Sequence, residues 1–156
     1  MHKESLVDFS ASGQSTPIAE RFCNDNHRNE KSIAKDYFTV RDGVEYAGSH
    51  LLIDLKEASF LDDIDLIEKT MRDCVDACQA TLLHIHLHHF SPSGGVSGVA
   101  VLAESHISVH TWPERGYAAF DVFMCGDAEP HRAVSILSQA FLAEKVEVTE
   151  QLRGRV

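Results

Sequence analysis

One short stretch of this chain, residues 103–114, brings together the residue types that acyl transfer requires. Ser105 supplies a nucleophilic hydroxyl beside the peptide carbonyl of Glu104, and His106 and His110 are bases one and five residues further along. A hydroxyl, a carbonyl and a base are the parts of nucleophilic catalysis. Because the nearest carbonyl belongs to the chain itself, the predicted chemistry can act on the chain's own backbone.

Apolar periodicity predicts the elements that must position these residues, in the order β-α-β-β-β-α-β. Strands are predicted over residues 50–55, 81–90, 96–109, 117–124 and 145–152. The second strand is predicted to direct Leu83, Ile85 and Leu87 to one face and His84, His86 and His88 to the other. The helical stripes are Ile64, Ile67, Met71, Val75 and Cys78, then Ala133, Ile136, Leu137, Ala140 and Phe141.

This order predicts an α+β fold, a two-layer α/β sandwich in which a mostly antiparallel sheet carries two helices on one face. The other face of such a sheet needs a cover, and a second copy of the chain is the simplest one. Residues 1–32, rich in Ser, Asn, His and charge, are predicted to form a flexible arm. Residues 33–156 are predicted to form a single domain, entered through a turn at Asp42 and Gly43.

Composition excludes several functional classes. A formal charge of −10 argues against a nucleic-acid partner, which would require clustered Lys and Arg. Apolar runs fall short of the roughly 18 residues of a membrane span, and the first residues lack the apolar stretch of a secretory signal. The four cysteines, Cys23, Cys74, Cys78 and Cys125, show no Cys-x-x-Cys spacing, so the sequence predicts free thiols in a cytoplasmic setting.

Several motifs in one order resemble the prokaryotic S-adenosylmethionine decarboxylases, which process themselves and carry a covalent pyruvoyl group. The matching pieces are His-Leu-Leu-Ile-Asp at 50–54, Phe-Ser-Pro-Ser-Gly-Gly-Val-Ser-Gly at 90–98, Ala-Glu-Ser-His at 103–106, His-Thr-Trp-Pro-Glu at 110–114 and Tyr-Ala-Ala-Phe-Asp-Val-Phe-Met-Cys-Gly at 117–126. A weaker likeness continues to residues 153–154. The resemblance implies cytoplasmic homodimers that complete their active sites between protomers.

The resemblance implies that the chain cuts itself after Glu104. Ser105 would attack the Glu104 carbonyl, and the resulting ester would break to give a β chain of residues 1–104 and an α chain of residues 105–156. The former Ser105 would become the pyruvoyl group. His110 is implied as the proton-transfer residue of this processing and Ser97 as its helper.

The resemblance also implies how the mature enzyme works. The pyruvoyl ketone would form a Schiff base with the α-amine of S-adenosylmethionine and absorb the electrons left by carbon dioxide. Cys125 would then protonate the substrate carbon. Phe90 and Trp112 would hold the adenine and Glu114 the ribose hydroxyls. The product would be the aminopropyl donor for spermidine synthesis, and no metal is implied.

Two alternatives remain open from the sequence. The same machinery could decarboxylate another amino acid, such as arginine, because it is indifferent to the side chain. A catalytically silent paralogue could instead bind a partner or a transition metal through His84, His86 and His88. The Phe90, Trp112 and Glu114 set favours the nucleoside substrate, whereas Cys74 and Cys78 are interpreted as core residues.

Overall fold

Two helices cover one face of a six-stranded sheet in the computed structural model, which describes residues 37–156. The elements in chain order are β1 (Thr39–Arg41), β2 (Val44–Tyr46), β3 (Gly48–Lys56), α1 (Ile64–Ala77), β4 (Leu82–His89), β5 (Val96–Leu102), β6 (Ser105–Trp112), β7 (Tyr117–Cys125), α2 (Arg132–Ala140) and β8 (Lys145–Arg153). The sheet order is β4-β5-β6-β7-β3-β8, with every neighbouring pair antiparallel. The predicted α+β sandwich is confirmed, whereas the arm predicted for residues 1–32 lies outside the described residues.

The hydrophobic core lies between the helices and the sheet, as the predicted two-layer sandwich requires. On β3, Leu51, Ile53 and Leu55 are buried, whereas Leu52 on the opposite face is 43% exposed. Helices α1 and α2 pack their predicted apolar stripes into the same cluster. Burying a large apolar side chain contributes roughly 1.5–3 kcal/mol. The helix-covered face therefore holds the fold together, and the other face, called the open face below, is not covered by either helix.

Helix α1 begins at the cap that the sequence provides. The carboxylate of Asp63 accepts a hydrogen bond from the Leu66 N–H at 2.9 Å, and Asp65 lies in the first turn, where a carboxylate suits the helix dipole. Helix α2 begins at Arg132, two residues after Pro130. Neither of these two helices is long and apolar enough to cross a bilayer.

The prediction of a single strand over residues 96–109 is wrong, because the chain reverses direction inside it. Strand β5 ends at Leu102 and β6 begins at Ser105, so the sheet gains one strand. Neither Ala103 nor Glu104 is a residue type that favours turns, and the apolar alternation continues on both sides, which concealed the reversal. The reversal places Ser105 at the first position of a strand in the middle of the sheet.

The edge strand β4 also departs from its predicted alternation. Its register slips between Leu82 and His84, and Leu83, predicted to face the core, is 63% exposed. The extra residue of a β-bulge turns its side chain to the other face. Ile85 and Leu87 keep the predicted core side.

A small hairpin, β1–β2, precedes the sheet where the sequence predicted a turn. Its turn residues Asp42 and Gly43 have φ angles of +53° and +78°, the left-handed pair that a tight hairpin uses. Tyr46 at the end of β2 is buried. The Val156 N–H donates to the carbonyl of Glu45 at 3.1 Å, which ties the hairpin to the end of the chain.

Candidate active site

Ser105 lies at the reversal between β5 and β6 with a backbone φ of +156°. Residues other than glycine rarely adopt this region, at a cost of about 1–3 kcal/mol. The neighbouring Glu104 is anchored, because its carboxylate accepts hydrogen bonds from the N–H and the hydroxyl of Thr81 at 2.9 and 3.1 Å. The backbone that the resemblance marks for cleavage is therefore strained and held in place.

Cys125, at the end of β7, approaches the same reversal with two of its atoms. Its Sγ lies 3.2 Å from Ser105 Oγ, and its backbone N–H donates to the carbonyl oxygen of Glu104 at 3.1 Å. An N–H aimed at a carbonyl oxygen stabilises the negative charge that develops there when a nucleophile adds. A hydroxyl, a carbonyl and a thiol, predicted from separate motifs, thus meet at one point.

Cys125 differs from the other two described cysteines in its exposure. Cys74 and Cys78 are buried against the segment that leads into α2. Burial raises the pKa of Cys78 to about 11 and raises the pKa of Cys74 as well, because a thiolate there loses its solvation. Their predicted core role is confirmed. Cys125 is a free, half-buried thiol and is the one described cysteine that a reacting group can reach.

Ser97 and His110 form a second pair, on the open face of the sheet. They lie directly opposite each other on β5 and β6, and Ser97 Oγ is 2.8 Å from His110 Nδ1. A hydroxyl hydrogen-bonded to an imidazole is a common unit of proton transfer in enzymes. The structure therefore brings these two predicted residues together.

The cleft beside this pair is lined by the side chains predicted to bind the substrate. Its volume is about 230 Å³, and Phe90, Trp112 and Glu114 all line it. Phe90 is 45% exposed and Trp112 is 41% exposed, so neither ring is packed into the core. The cleft thus offers two aromatic surfaces and a carboxylate to a ligand.

Two residues that sequence reasoning missed hold Trp112 in place. The Tyr117 ring stacks on Trp112 at 5.3 Å between centroids and 31° between planes, and its hydroxyl donates to Asp54 Oδ1 at 2.6 Å. This hydrogen bond raises the pKa of Tyr117 to about 12, because deprotonation would place a second negative charge beside the carboxylate. The alternation along β3 and β7 could have shown that both side chains point to the open face.

A polar cluster occupies the middle of the open face and was also missed. His50 Nε2 lies 3.3 Å from Asp121 Oδ1. This nitrogen is buried and forms no hydrogen bond with any described residue. Ser108 donates to the other oxygen of Asp121 at 3.1 Å. The His50 ring contacts Phe123 at 5.6 Å between centroids. The open face thus carries polar groups where the helix-covered face carries apolar ones.

The two groups of predicted residues do not meet within one protomer. Ser105 and His110 are five residues apart on β6, which at about 3.3 Å per residue is about 16 Å. The Ser105–Cys125 contact lies at one end of that strand, and the Ser97–His110 pair with its cleft lies near the other. A proton does not pass directly over such a distance. The structure divides the predicted site into two halves.

The three alternate histidines of β4 lie exposed at the edge of the sheet. Within residues 37–156, no three His, Cys, Asp or Glu side chains come together as the ligands of a metal ion would. His88 packs edge-on against Phe90 at 4.6 Å between centroids, which places one end of this row beside the cleft.

Comparisons with known proteins identify the class to which this antiparallel sandwich, with its serine–thiol contact, belongs. The chain belongs to the S-adenosylmethionine decarboxylase family, whose family model matches residues 49–154. A decarboxylase proenzyme of this name from Thermomicrobium roseum is 41% identical over 110 residues, which cover 70% of this chain and 95% of the relative.

Two further relatives agree in sequence and in fold. The S-adenosylmethionine decarboxylase proenzyme of Methanococcus maripaludis strain C7 is 49% identical over 110 residues, covering 69% of this chain and 89% of the relative. The crystal structure of the adenosylmethionine decarboxylase from Aquifex aeolicus VF5 is similar with a TM-score of 0.63 and 32% identity, covering 71% of this chain and 93% of that one.

Proposed function

We propose that this chain is a self-processing, pyruvoyl-dependent decarboxylase that converts S-adenosylmethionine into the aminopropyl donor for spermidine synthesis. The observation that carries the proposal is the strained reversal at Ser105, where Cys125 contacts both the hydroxyl and the Glu104 carbonyl. The curated relatives are named proenzymes, which supports processing before activity. The free thiols among the described residues support a cytoplasmic setting.

The proposed processing uses groups that lie together at the β5–β6 reversal. Ser105 Oγ adds to the Glu104 carbonyl carbon while the Cys125 N–H stabilises the developing oxyanion. The carbon–nitrogen bond breaks once a proton reaches the nitrogen, so an ester replaces the amide. Removal of the Ser105 α-proton then expels the Glu104 carboxylate and separates residues 1–104 from residues 105–156. The dehydroalanine left at position 105 tautomerises to an imine, which takes up water and releases ammonia to give the pyruvoyl ketone.

A pyruvoyl group at position 105 fits the residues around it. Position 105 opens β6 beside the half-buried thiol of Cys125, 3.2 Å from the side-chain oxygen. When present, the ketone of the group supplies the electron sink that loss of carbon dioxide from an α-amino acid requires. The Cys125 thiol holds the proton that the substrate carbon takes up.

The cleft supports a nucleoside substrate. Phe90 and Trp112 present ring faces for the adenine and the sulfonium cation, contacts worth about 1 kcal/mol each. Glu114 accepts hydrogen bonds from the ribose hydroxyls. The relatives reported above are decarboxylases of S-adenosylmethionine, which favours this substrate over arginine. No observation favours a catalytically silent protein.

The division of the site supports a homodimer in which each active site takes residues from both protomers. Ser105 and His110 lie about 16 Å apart along one strand at about 3.3 Å per residue. A two-fold axis through the open face would place the Ser97–His110 pair of each copy beside the Ser105–Cys125 contact of the other, giving two equal sites. The cleft of one protomer, at about 230 Å³, is also smaller than the ~300–1,000 Å³ of typical ligand pockets.

Intact-mass measurement of the purified protein tests processing. We expect two chains, of which the smaller reacts with phenylhydrazine because it carries a ketone. Ser105→Ala should yield one uncut chain that does not react. A native protein that decarboxylates S-adenosylmethionine as a single uncut chain with a free serine would contradict the proposal.

Co-expression of two inactive variants tests the shared site. His110→Ala keeps Ser105, and Ser105→Ala keeps His110, so a mixed dimer contains one site in which both residues are native. We expect the His110→Ala chain to remain uncut alone and to be cut when it is paired with Ser105→Ala. Absence of cleavage in isolated mixed dimers would show that the two residues act within one protomer.

A further inference from the structure

We propose that residues 37–48, called the clamp segment, position the Cys125 thiol, with Tyr37 as the positioning residue. The segment comprises the β1–β2 hairpin, the residues beside it and Gly48, which opens β3. It precedes residues 49–154, which the family model matches. The expected effect of this segment on turnover rests on the proposed catalytic role of Cys125. Its effect on the position of the Cys125 thiol does not rest on that role.

The first contact is made by Tyr37 on one side of the turn that follows β7. Gly126 adopts a φ of +63°, and its N–H donates to the carbonyl oxygen of Tyr37 at 3.2 Å. A Cβ placed on Gly126 would lie 3.6 Å from Tyr37 Cδ1, so the ring covers the turn at van der Waals distance. Tyr37 therefore holds the residue directly after the thiol through both backbone and ring.

The second contact is made by Gly48 on the neighbouring strand. A Cβ at Gly48 would lie 3.1 Å from Cys125 Sγ and 2.7 Å from the carbonyl oxygen of Met124. Any larger residue would have to displace the thiol or the backbone of β7. Because glycine has no side chain, the Cys125 thiol can lie next to Ser105.

The clamp segment is fixed to the domain independently of the turn it contacts. The Ala47 N–H donates to the Arg153 carbonyl at 2.9 Å, and the Val156 N–H donates to the Glu45 carbonyl at 3.1 Å. Tyr46 is 2% exposed. Because these contacts reach β8 and the core, the segment can support the Cys125–Gly126 turn.

The reactivity of the Cys125 thiol tests the clamp. Full-length Tyr37→Ala is compared with Val40→Ala, a control on the same hairpin whose side chain is 69% exposed. Both are made in the uncut Ser105→Ala protein, and the rate of iodoacetamide labelling is read at the Cys125 peptide by mass spectrometry. We expect Tyr37→Ala to raise the rate by about threefold or more, because the turn opens more often, and Val40→Ala to leave it unchanged.

A pair of truncations tests the backbone contact. A chain that begins at Val44 loses Tyr37 and β1 but keeps buried Tyr46, and a chain that begins at Tyr37 is its control. We expect exchange of the Gly126 amide hydrogen to quicken about tenfold in the shorter chain only. In the processed enzyme, Tyr37→Ala should lower kcat and leave KM unchanged, since it displaces the proposed proton donor and none of the side chains proposed to bind the adenine or the ribose.

The outcomes separate the clamp from the proposed function. Equal labelling rates in Tyr37→Ala and Val40→Ala, together with equal exchange in the two truncations, overturn the clamp. If the shorter truncation fails to fold, the labelling comparison between the two full-length variants decides alone. Faster labelling in Tyr37→Ala supports the clamp even if the native chain neither cuts itself nor releases carbon dioxide, a result that would refute only the proposed function.

Discussion

At the scale of single residues, Ser105 combines a reactive hydroxyl with a backbone conformation that glycine would hold more easily. Its φ of +156° is maintained by the strand pairs on either side of the reversal and by the anchored carboxylate of Glu104. Strain of this kind persists only where the surrounding structure enforces it.

Glycine at position 105 should therefore stabilise the uncut protein. We expect the free energy of unfolding, measured in urea, to be about 1 kcal/mol higher for Ser105→Gly than for Ser105→Ala, since glycine adopts this φ without a steric penalty. Both variants lack the hydroxyl and remain uncut, so the comparison isolates the backbone. Equal stability, or a more stable alanine variant, would show that the reversal is not strained in solution.

Cys125 should affect turnover more than processing. In Cys125→Ala the backbone N–H to the Glu104 carbonyl is retained, so we expect cleavage to proceed. The thiol proton is lost, and kcat for carbon dioxide release should fall by about 100-fold or more. Cleavage, followed on a denaturing gel, doubles as the control for correct folding. Normal turnover by this variant would remove Cys125 from the chemistry.

The sequence nominated residues for the site but did not predict how they meet. The resemblance singled out Ser105, Cys125, Ser97 and His110, and the structure brings them together as two separate pairs. Contacts such as the Cys125 N–H to the Glu104 carbonyl depend on the register between β6 and β7, which spacing along the chain does not determine. The separation of His110 from Ser105, by contrast, follows from their five-residue spacing along one extended strand.

At the scale of elements, the open faces of β3, β6 and β7 form a support for the cleft. The Asp54–Tyr117 hydrogen bond links β3 to β7, and the Tyr117 ring carries Trp112 at the end of β6. The orientation of Trp112, which is predicted to contact the adenine, therefore depends on Tyr117, which is not itself predicted to contact the substrate.

This support should weaken at high pH. The pKa of Tyr117 is raised from its ordinary 10.0 to about 12, so its hydrogen bond contributes stability in full below pH 10 and loses it as the pH rises through about 12. Between pH 10 and pH 12, we expect the free energy of unfolding of the native protein to fall by about 1 kcal/mol relative to that of Tyr117→Phe. Urea unfolding of both proteins at several pH values measures the difference. Asp54→Asn should lower the pKa of Tyr117, read from phenolate absorbance.

Element prediction succeeded where one pattern persisted and failed where two patterns met. The stripes of α1 and α2 were predicted because each helix keeps one period along its length, and β3 was predicted from an uninterrupted apolar run. The reversal at Ala103 and Glu104 and the bulge at Leu83 were missed because no glycine or proline marks them. Pairing with neighbouring strands decides both, and a local window does not contain that information.

At the scale of the whole molecule, the open face is the surface through which the proposed homodimer would bring the two halves of the site together. Leu52 lies on this face at 43% exposure, on strand β3 within the sheet. We expect Leu52→Glu to give monomers in sedimentation and to slow self-cleavage about tenfold, because a desolvated charge opposes the proposed interface. Leu142→Glu, at a site 60% exposed just after α2, is the control that should change neither. A dimeric, normally cleaved Leu52→Glu protein would exclude this face as the interface.

The strand order determines what the proposed cut after Glu104 would do to the folded protein. Across the sheet, β4, β5 and β3 come from the first fragment and β6, β7 and β8 from the second, so the two fragments are interleaved. Neither fragment can leave without breaking strand pairs on which the other depends. The nicked molecule would thus stay whole while folded. Once unfolded, it would have to reassemble from two separate polypeptides at a rate set by their concentration. A chain that had cut itself to become active would therefore no longer refold as a single molecule.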